Sequence, residues 1–231
     1  MCEGDPGNFG KYMKKQVLGV KIDDVSVDEA SKIVEGWLKK RGKHYIVTPN
    51  PEFLVVARKD LKFKMILNAA DLSIPDGAGL KIGSDIENTT PGIDLMEELI
   101  EISAEKGFTT GFLGGRNGVA KMAAECLKRK YPKLKISFIE EEPVEIPTTD
   151  ILFVAFGAPK QEKWIFDNLK KIPVKVAMGV GGAFDYLSGR VSRAPIWVRN
   201  LGFEWLFRLV VQPWRIKRQL ALIKFIFYVL K

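Results

Sequence analysis

The chain has 231 residues, of which 46% are hydrophobic and 28% are charged; this is an ordinary globular composition and argues against long disordered regions. Two cysteines and one histidine form no disulfide or metal-binding pattern, and they fit a reducing compartment. The net charge of +8 resides entirely in residues 190–231, which hold nine Lys or Arg and one acid, because the 27 basic and 27 acidic residues of 1–189 balance. This asymmetry indicates a polyanionic partner: nucleic acid, anionic lipid or a phosphorylated ligand.

Three regions follow from the composition along the chain. Residues 1–16 are polar and lack the apolar run of a secretory signal, so we expect a leader or disordered tail there. Residues 17–195 are predicted to form the core, and residues 196–231 a basic, aromatic, helical appendage. The apolar segment Leu220–Leu230 has 11 residues and is interrupted by Lys224, so it is shorter than the roughly 18 residues of a membrane-spanning helix.

Strands and helices alternate between these ends. The predicted strands are Val17–Ile22, His44–Thr48, Leu72–Ile74, Thr109–Leu113, Lys135–Ile139, Ile151–Phe156 and Val174–Met178. The predicted helices are Ser26–Arg41, Pro51–Lys59, Leu61–Ala69, Gly92–Lys106, Asn117–Lys130 and Lys160–Lys171, with Ser26 and Asn117 as N-caps. This order predicts an α/β fold: a Rossmann-like, mainly parallel sheet with helices on both faces and right-handed crossovers.

Polar or glycine-rich segments follow five of the predicted strands. They are residues 48–50, 75–77, 114–115, 157–161 and 179–185. Ligands of an open parallel sheet bind beyond the carboxyl ends of its strands. We therefore expect these five segments to converge on one crevice.

Two glycine pairs are candidates for nucleotide binding. Gly114 and Gly115 precede a predicted helix and allow the backbone to approach a phosphate, although a tight turn explains them equally well. Gly181 and Gly182 precede Asp185, whose carboxylate is suited to accept hydrogen bonds from ribose hydroxyls. The alternative for Asp185 is a helix cap.

Asp76 is the candidate general base. Pro-Asp-Gly is a common turn sequence, but this one ends an apolar strand, where the carboxylate would face the crevice. Transfer to a hydroxyl group needs a base that accepts its proton, and the chain has no spare histidine for that role. Asp185 and Glu162 are the alternative bases.

Two amides at the starts of loops, Asn50 and Gln161, suit hydrogen bonds to sugar hydroxyl and acetamide groups because each offers a donor and an acceptor. Capping of nearby backbone groups is the alternative for each.

The tail combines phosphate-binding and apolar residues. Four polar residues are spaced by four, three and four positions: Arg208, Gln212, Arg215 and Gln219. They share one face of a continuous helix, with Arg218 close by, unless Pro213 breaks that helix or is the first residue of a new one. Guanidinium groups match the geometry of a diphosphate, and the intervening apolar and tryptophan residues favour a membrane interface. A helix packed on the core with a solvated basic face is the alternative.

Taken together, these segments resemble those of the bacterial WecG/TagA/CpsF glycosyltransferases. The matching segments are 48–52 (TPNPE), 70–77 (ADLSIPDG), 91–95 (PGIDL), 112–115 (FLGG), 156–164 (FGAPKQEKW), 179–189 (GVGGAFDYLSG), 193–195 (RAP) and 201–208 (LGFEWLFR). They cover nearly the whole chain after Lys15. The segment 140–149, however, is too short and proline-rich for the intervening helix expected of the family. The resemblance therefore does not fix the structure of the outer edge of the sheet.

The resemblance implies an inverting transferase that moves N-acetylmannosamine, or a related sugar, from a UDP-sugar donor to undecaprenyl-diphospho-N-acetylglucosamine. It implies no cofactor and no obligatory metal, and a peripheral location at the cytoplasmic face of the bacterial membrane, held there through residues 196–231. By the same resemblance Asp76 is catalytic, and Asp185 is a nucleotide-side residue. Sugar recognition falls on Thr48, Asn50 and Gln161, and diphosphate binding on Arg208, Arg215 and Arg218.

Other functions are compatible with the same residues. The donor is alternatively UDP-glucose or a UDP-linked uronic acid such as UDP-N-acetylmannosaminuronic acid. A non-catalytic, membrane-tethered nucleotide-binding module is a second hypothesis. Nucleic-acid binding is disfavoured, because the basic residues are interleaved with long apolar stretches. The apolar tail needs a cover, which is either a membrane or a partner subunit in a homo-oligomer.

Overall fold

The computed structural model describes residues 13–143, 145–213 and 216–231, without the side chains of Asn200, Lys217, Arg218 and Gln219. Residues 1–12 of the predicted tail therefore lie outside the described residues.

The described residues include eight strands, which form two sheets. They are β1 (Lys14–Val17), β2 (Val20–Asp23), β3 (His44–Val47), β4 (Leu72–Ser73), β5 (Thr109–Gly114), β6 (Lys135–Glu140), β7 (Thr149–Ala155) and β8 (Val174–Gly179). The main sheet has six strands in the order β4-β3-β8-β7-β5-β6, and all of its pairings are parallel. The predicted α/β class is confirmed, and the sheet is wholly rather than mainly parallel.

The prediction of one strand over Val17–Ile22 is wrong. Leu18 and Gly19 both have positive φ angles, 49° and 80°, and they turn the chain into an antiparallel hairpin of β1 and β2. The hairpin forms a sheet of its own. Residues 14–16 consequently belong to a strand, and the predicted tail extends too far by these residues.

The residues that the structure describes also form ten helices, and a 3-10 turn follows β4. The helices are α1 (Val27–Leu38), α2 (Pro51–Ala57), α3 (Leu61–Asn68), α4 (Gly92–Lys106), α5 (Val119–Lys130), α6 (Lys160–Asn168), α7 (Ala183–Leu187), α8 (Ile196–Asn200), α9 (Glu204–Val211) and α10 (Ile216–Val229), and the 3-10 turn is Ala78–Lys81. Ser26 caps α1 in a reciprocal pair with Glu29, as predicted. Asn117 is not a cap: Gly118 precedes α5 instead, and Asn117 has a left-handed φ of 59°.

Helices cover both faces of the sheet, because alternate strand residues point in opposite directions. On one face, Ile46 and Phe153 pack in a core shared with α1, α4, α5 and α7. On the other face, Tyr45 and Leu152 pack in a core shared with α2, α3, α6 and α10. The prediction of helices on both faces is confirmed.

The C-terminal helix α10 is part of the second core. Phe225 has no exposed surface, and Leu222 and Val229 approach two glycines of the segment after Asp76. A Cβ added at Gly83 would lie 2.6 Å from a methyl carbon of Val229. The inner face of α10 therefore packs directly against the core.

Helices α9 and α10 are separate elements. α9 ends at Val211, its C-cap Gln212 has a non-helical φ of −131°, and α10 is described from Ile216 onward. The single helical face predicted from Arg208 onward is therefore interrupted at Gln212. In the part of the chain that the structure describes, no helix has both the length and the apolarity to cross a bilayer.

Candidate active site

The five strand ends meet at one edge of the main sheet, as the parallel topology requires. The amide of Asp76 donates to the carbonyl of Pro49 at 2.9 Å, which joins the ends of β4 and β3. The amides of Val180 and Gly115 donate to β7 at 2.9 and 3.1 Å. The five segments therefore lie together at this edge of the sheet, which is the place of the predicted crevice.

Asp76 is held by the two segments on either side of it. The backbone amide of Gly92, at the start of α4, donates to Oδ1 of Asp76 at 3.3 Å. The side chain of Asn50 also hydrogen-bonds Asp76. Since the Asn50 oxygen already accepts from the amide of Phe53 at 3.1 Å, it is the Asn50 NH2 group that faces the carboxylate. Asn50 thus caps α2 and orients Asp76 at the same time.

The surroundings of Asp76 suit a general base. Burial raises the pKa of its carboxyl to about 6, although Gly92, Arg208 and Asn50 all favour the charged form. Glu204 adds a smaller upward contribution. A carboxylate whose pKa lies close to neutrality accepts a proton more readily than an ordinary one and is still ionised at pH 7.

Glu162, an alternative base, is enclosed in protein. Its side chain is 1% exposed and accepts a hydrogen bond from Nε2 of Gln161 at 2.7 Å. Burial raises the pKa of Glu162 to about 7. A Cβ added at Gly179 would lie 3.0 Å from the Glu162 carboxylate, so this acid lies beneath the β8 loop rather than in the crevice. The geometry favours Asp76.

Gln161 joins two of the crevice loops. Its side-chain oxygen accepts from the amides of Gly157 at 3.1 Å and Gly181 at 3.0 Å, and the residue is 1% exposed. This is the backbone-capping role weighed as its alternative. A contact between Gln161 and the sugar stays a prediction, since the oxygen is already occupied by two donors.

Thr48 lies behind the start of α4. The side chain is buried, and a Cβ added at Gly92 would lie 3.0 Å from its methyl carbon. Glycine at position 92 therefore lets α4 approach the β3 loop closely enough to hydrogen-bond Asp76. A contact between Thr48 and the sugar stays a prediction.

The first glycine pair is explained by packing. Gly114 and Gly115 have positive φ angles of 95° and 78°. A Cβ added at Gly114 would lie 2.8 Å from the carbonyl carbon of Ala155, and one at Gly115 would lie 2.6 Å from Val119. The tight-turn alternative accounts for both residues, and their contact with a nucleotide stays a prediction.

The second glycine pair lies beside charged groups. A Cβ added at Gly182 would lie 3.1 Å from an Arg208 nitrogen and 3.4 Å from an Asp185 oxygen. Asp185 is the third residue of α7, whose N-cap is Gly182, so the capping alternative for Asp185 is wrong. Gly181, Gly182, Asp185 and Arg208 thus form one cluster at the end of β8. Binding of a nucleotide by this cluster stays a prediction.

Arg208 reaches the crevice from α9. Its guanidinium carbon lies 4.6 Å from the ring centroid of Tyr186, and its charge acts on the carboxyl of Asp76. The segment before α9 is docked by ion pairs: Arg193 pairs with Asp94 in the first turn of α4, and its Nε lies 3.4 Å from Glu204. α9 is therefore anchored to the helix whose first amide holds Asp76.

Four residues of this arrangement were not predicted as site residues: Tyr186, Asp94, Arg193 and Glu204. All four lie in segments that carry the resemblance, which was the signal for a role. Arg215 lies outside the described residues, and the side chain of Arg218 is likewise not described. Their predicted diphosphate contacts stay predictions. Among the described residues, no three or more His, Cys, Asp or Glu cluster as metal ligands would.

Comparisons with known proteins identify similar chains. Residues 15–231 match the family described as "Glycosyl transferase WecG/TagA/CpsF family". Two similar proteins carry the name N-acetylglucosaminyldiphosphoundecaprenol N-acetyl-beta-D-mannosaminyltransferase. The one from Bacillus subtilis is 34% identical over 212 residues, which cover 82% of this chain and 83% of that protein. The one from Staphylococcus aureus is 28% identical over 235 residues, with 94% and 92% covered.

Proposed function

The chain belongs to the WecG/TagA/CpsF family of glycosyltransferases, and from this premise we propose that it transfers N-acetylmannosamine from UDP-N-acetylmannosamine to undecaprenyl-diphospho-N-acetylglucosamine. The names of the similar proteins supply the sugar and the acceptor. The observation that carries the proposal is the Asp76 site: a desolvated carboxyl, oriented by Asn50 and Gly92, in a crevice that also contains Arg208. The product would serve the linkage unit of wall teichoic acid or a related surface polymer.

The proposed mechanism is a single displacement with inversion. Asp76 removes the proton of the acceptor 4-hydroxyl while the oxygen of that hydroxyl attacks the anomeric carbon of the donor. The bond from that carbon to the diphosphate breaks, and UDP leaves with the electron pair. Arg208 and the amides of the Gly181–Gly182 turn are suited to stabilise the charge that develops on the diphosphate.

The outer face of α10 supports a peripheral location at the cytoplasmic face of the membrane. Five apolar residues recur at helical spacing on it and are 51–72% exposed: Ile216, Leu220, Ile223, Phe227 and Leu230. The apolar residues Trp197, Leu201 and Val210 of the preceding segment are exposed as well, and the basic residues Lys224 and Lys231 flank the stripe on α10. An apolar stripe beside cations is typical of a helix lying in an anionic lipid interface.

We expect the double variant Ile223→Asp/Phe227→Asp to bind vesicles containing phosphatidylglycerol at least about 10-fold more weakly than the intact chain, because each exposed side chain contributes about 1.5–3 kcal/mol when buried. Cosedimentation with the vesicles measures this. The matched control is Met122→Asp, at a 43% exposed apolar residue of α5 on the opposite face of the sheet. Equal binding by the double variant and the control would instead favour a partner subunit as the cover of α10.

The transfer itself is tested by UDP release with the lipid-linked acceptor and three donors: UDP-N-acetylmannosamine, UDP-glucose and UDP-N-acetylmannosaminuronic acid. The proposal predicts acceptor-dependent release with the first donor, and a disaccharide product of inverted anomeric configuration. Release with only another donor would keep the mechanism and change the pathway. Binding of UDP without release from any donor would favour the non-catalytic, membrane-tethered module.

A further inference from the structure

Tyr186 contacts Arg208 although it is not among the predicted site residues. It is on the short helix α7, one residue after Asp185 and four after Gly182. The charged groups close enough to act on its hydroxyl are Arg208, Glu204, Arg193 and Asp76. Tyr186 is half-buried, and this burial raises the pKa of its hydroxyl.

The ring of Tyr186 is a support for Arg208. The guanidinium carbon lies 4.6 Å from the ring centroid, within the range at which an aromatic face attracts a cation. Arginine has several rotatable bonds, and a stacked ring restricts its head group to a plane. This contact therefore limits where the cation of α9 can lie in the crevice.

Gly182 provides the space for this arrangement. The point where its Cβ would stand is 3.1 Å from an Arg208 nitrogen, so a side chain at this position would require the guanidinium group to shift by a few tenths of an ångström. Arg208 thus contacts the aromatic face of Tyr186 and lies close to the backbone of the glycine turn. A guanidinium group held in this way offers its nitrogens in a fixed geometry, which suits a diphosphate.

We propose that Tyr186 is a positioning residue, whose ring holds the Arg208 guanidinium against the Gly181–Gly182 turn so that it meets a substrate diphosphate. This inference rests on the proposed function for the nature of its ligand. The diphosphate is either that of the nucleotide or that of the lipid-linked acceptor, and both present the same chemistry to Arg208. The ring itself touches neither reacting atom.

The test is a double-mutant cycle of Tyr186→Leu and Arg208→Ala. Loss of the stacked ring should weaken diphosphate binding by about 3- to 30-fold while Arg208 is present. In the Arg208→Ala background the same Tyr186 substitution should have less than about a 2-fold effect, because nothing is left to position. Tyr186→Phe keeps the ring, and it should retain most of the binding that Tyr186→Leu loses.

Two ligands separate the sources of the diphosphate. UDP affinity is measured by calorimetry without acceptor, and the KM of the lipid-linked acceptor is measured under turnover. If Tyr186→Leu weakens UDP binding only when Arg208 is present, Arg208 meets the diphosphate of the nucleotide. If Tyr186→Leu instead raises only the acceptor KM, and only when Arg208 is present, Arg208 meets the diphosphate of the lipid. Thermal unfolding of each variant shows that it is folded; if Tyr186→Leu does not fold, Tyr186→Met takes its place in the cycle, because methionine fills irregular space.

Equal losses from Tyr186→Leu with and without Arg208 would overturn the proposal, since Tyr186 would then act through packing alone. A loss in Tyr186→Phe as large as that in Tyr186→Leu would also overturn it, because the hydroxyl and not the ring would matter. If the intact chain turned over no UDP-sugar, the proposed function would be wrong. The double-mutant cycle measured by UDP affinity would still test the role of Tyr186.

Discussion

Asp76→Asn is expected to lower the transfer rate by about 10²- to 10⁴-fold, which is the usual contribution of a positioned general base. Asparagine has nearly the same shape as aspartate, and it can still accept the hydrogen bond from the amide of Gly92. It cannot take up the proton of the acceptor hydroxyl. UDP affinity and the unfolding temperature should therefore stay close to those of the unchanged chain, as measured by calorimetry and thermal unfolding.

Glu162→Gln is the matched control for Asp76→Asn. Glu162 is the other carboxyl of this region with a strongly raised pKa, but it lies beneath the loops and contacts Gln161. Its amide variant should retain turnover within about 10-fold, because only a hydrogen-bond partner of Gln161 has changed. If Glu162→Gln lost turnover while Asp76→Asn kept it, the assignment of the base would be wrong.

Phe225→Ala is expected to lower the free energy of unfolding by about 3–5 kcal/mol, the usual cost of removing a fully buried phenylalanine side chain. Phe225 has no exposed surface and lies in the core shared by α2, α3 and α6. Urea denaturation of the full chain measures the change. Phe227→Ala is the control on the same helix, because Phe227 is 61% exposed and should change stability by less than about 1 kcal/mol.

Similar stabilities of Phe225→Ala and Phe227→Ala would contradict the packing of α10 on the core. This difference in stability bears on the predicted boundary between core and appendage at residue 196. A truncation after Pro195 would remove the exposed apolar stripe of α10, and it would also remove the inner face of α10 that covers the α2 side of the core. Variants of single residues are therefore the better tool for separating the role of α9 in the crevice from that of α10 in stability.

Much of the fold follows from local sequence signals. The helix cap at Ser26, the α4 bounds Gly92–Lys106 and the alternation of strands and helices were all predicted from residue pattern alone. The hairpin was missed because β1 and β2 are short and Leu18 carries no turn signature, although its φ is positive. The small helix α7 was missed because five residues do not establish a helical period.

The site divides in a similar way. The position of Asp76 after an apolar strand predicted its place in the crevice, since strand ends of a parallel sheet lie together. The sequence could not separate the two roles of Asn50, because capping and orientation of a carboxylate use different atoms of one amide. Tyr186 and Arg208 lie on different helices, and the spacing of residues along the chain does not predict a contact between two such side chains.

The pH dependence of kcat/KM for the donor tests the central claim most directly. A carboxylate base is active when ionised, so a pKa of about 6 for Asp76 predicts a rate that falls about 10-fold per unit below pH 6 and levels off above it. The Glu162→Gln variant should show the same fall in rate below pH 6, and the residual rate of Asp76→Asn should not. A fall in rate near pH 6 that persists in Asp76→Asn would contradict the assignment of Asp76 as the base.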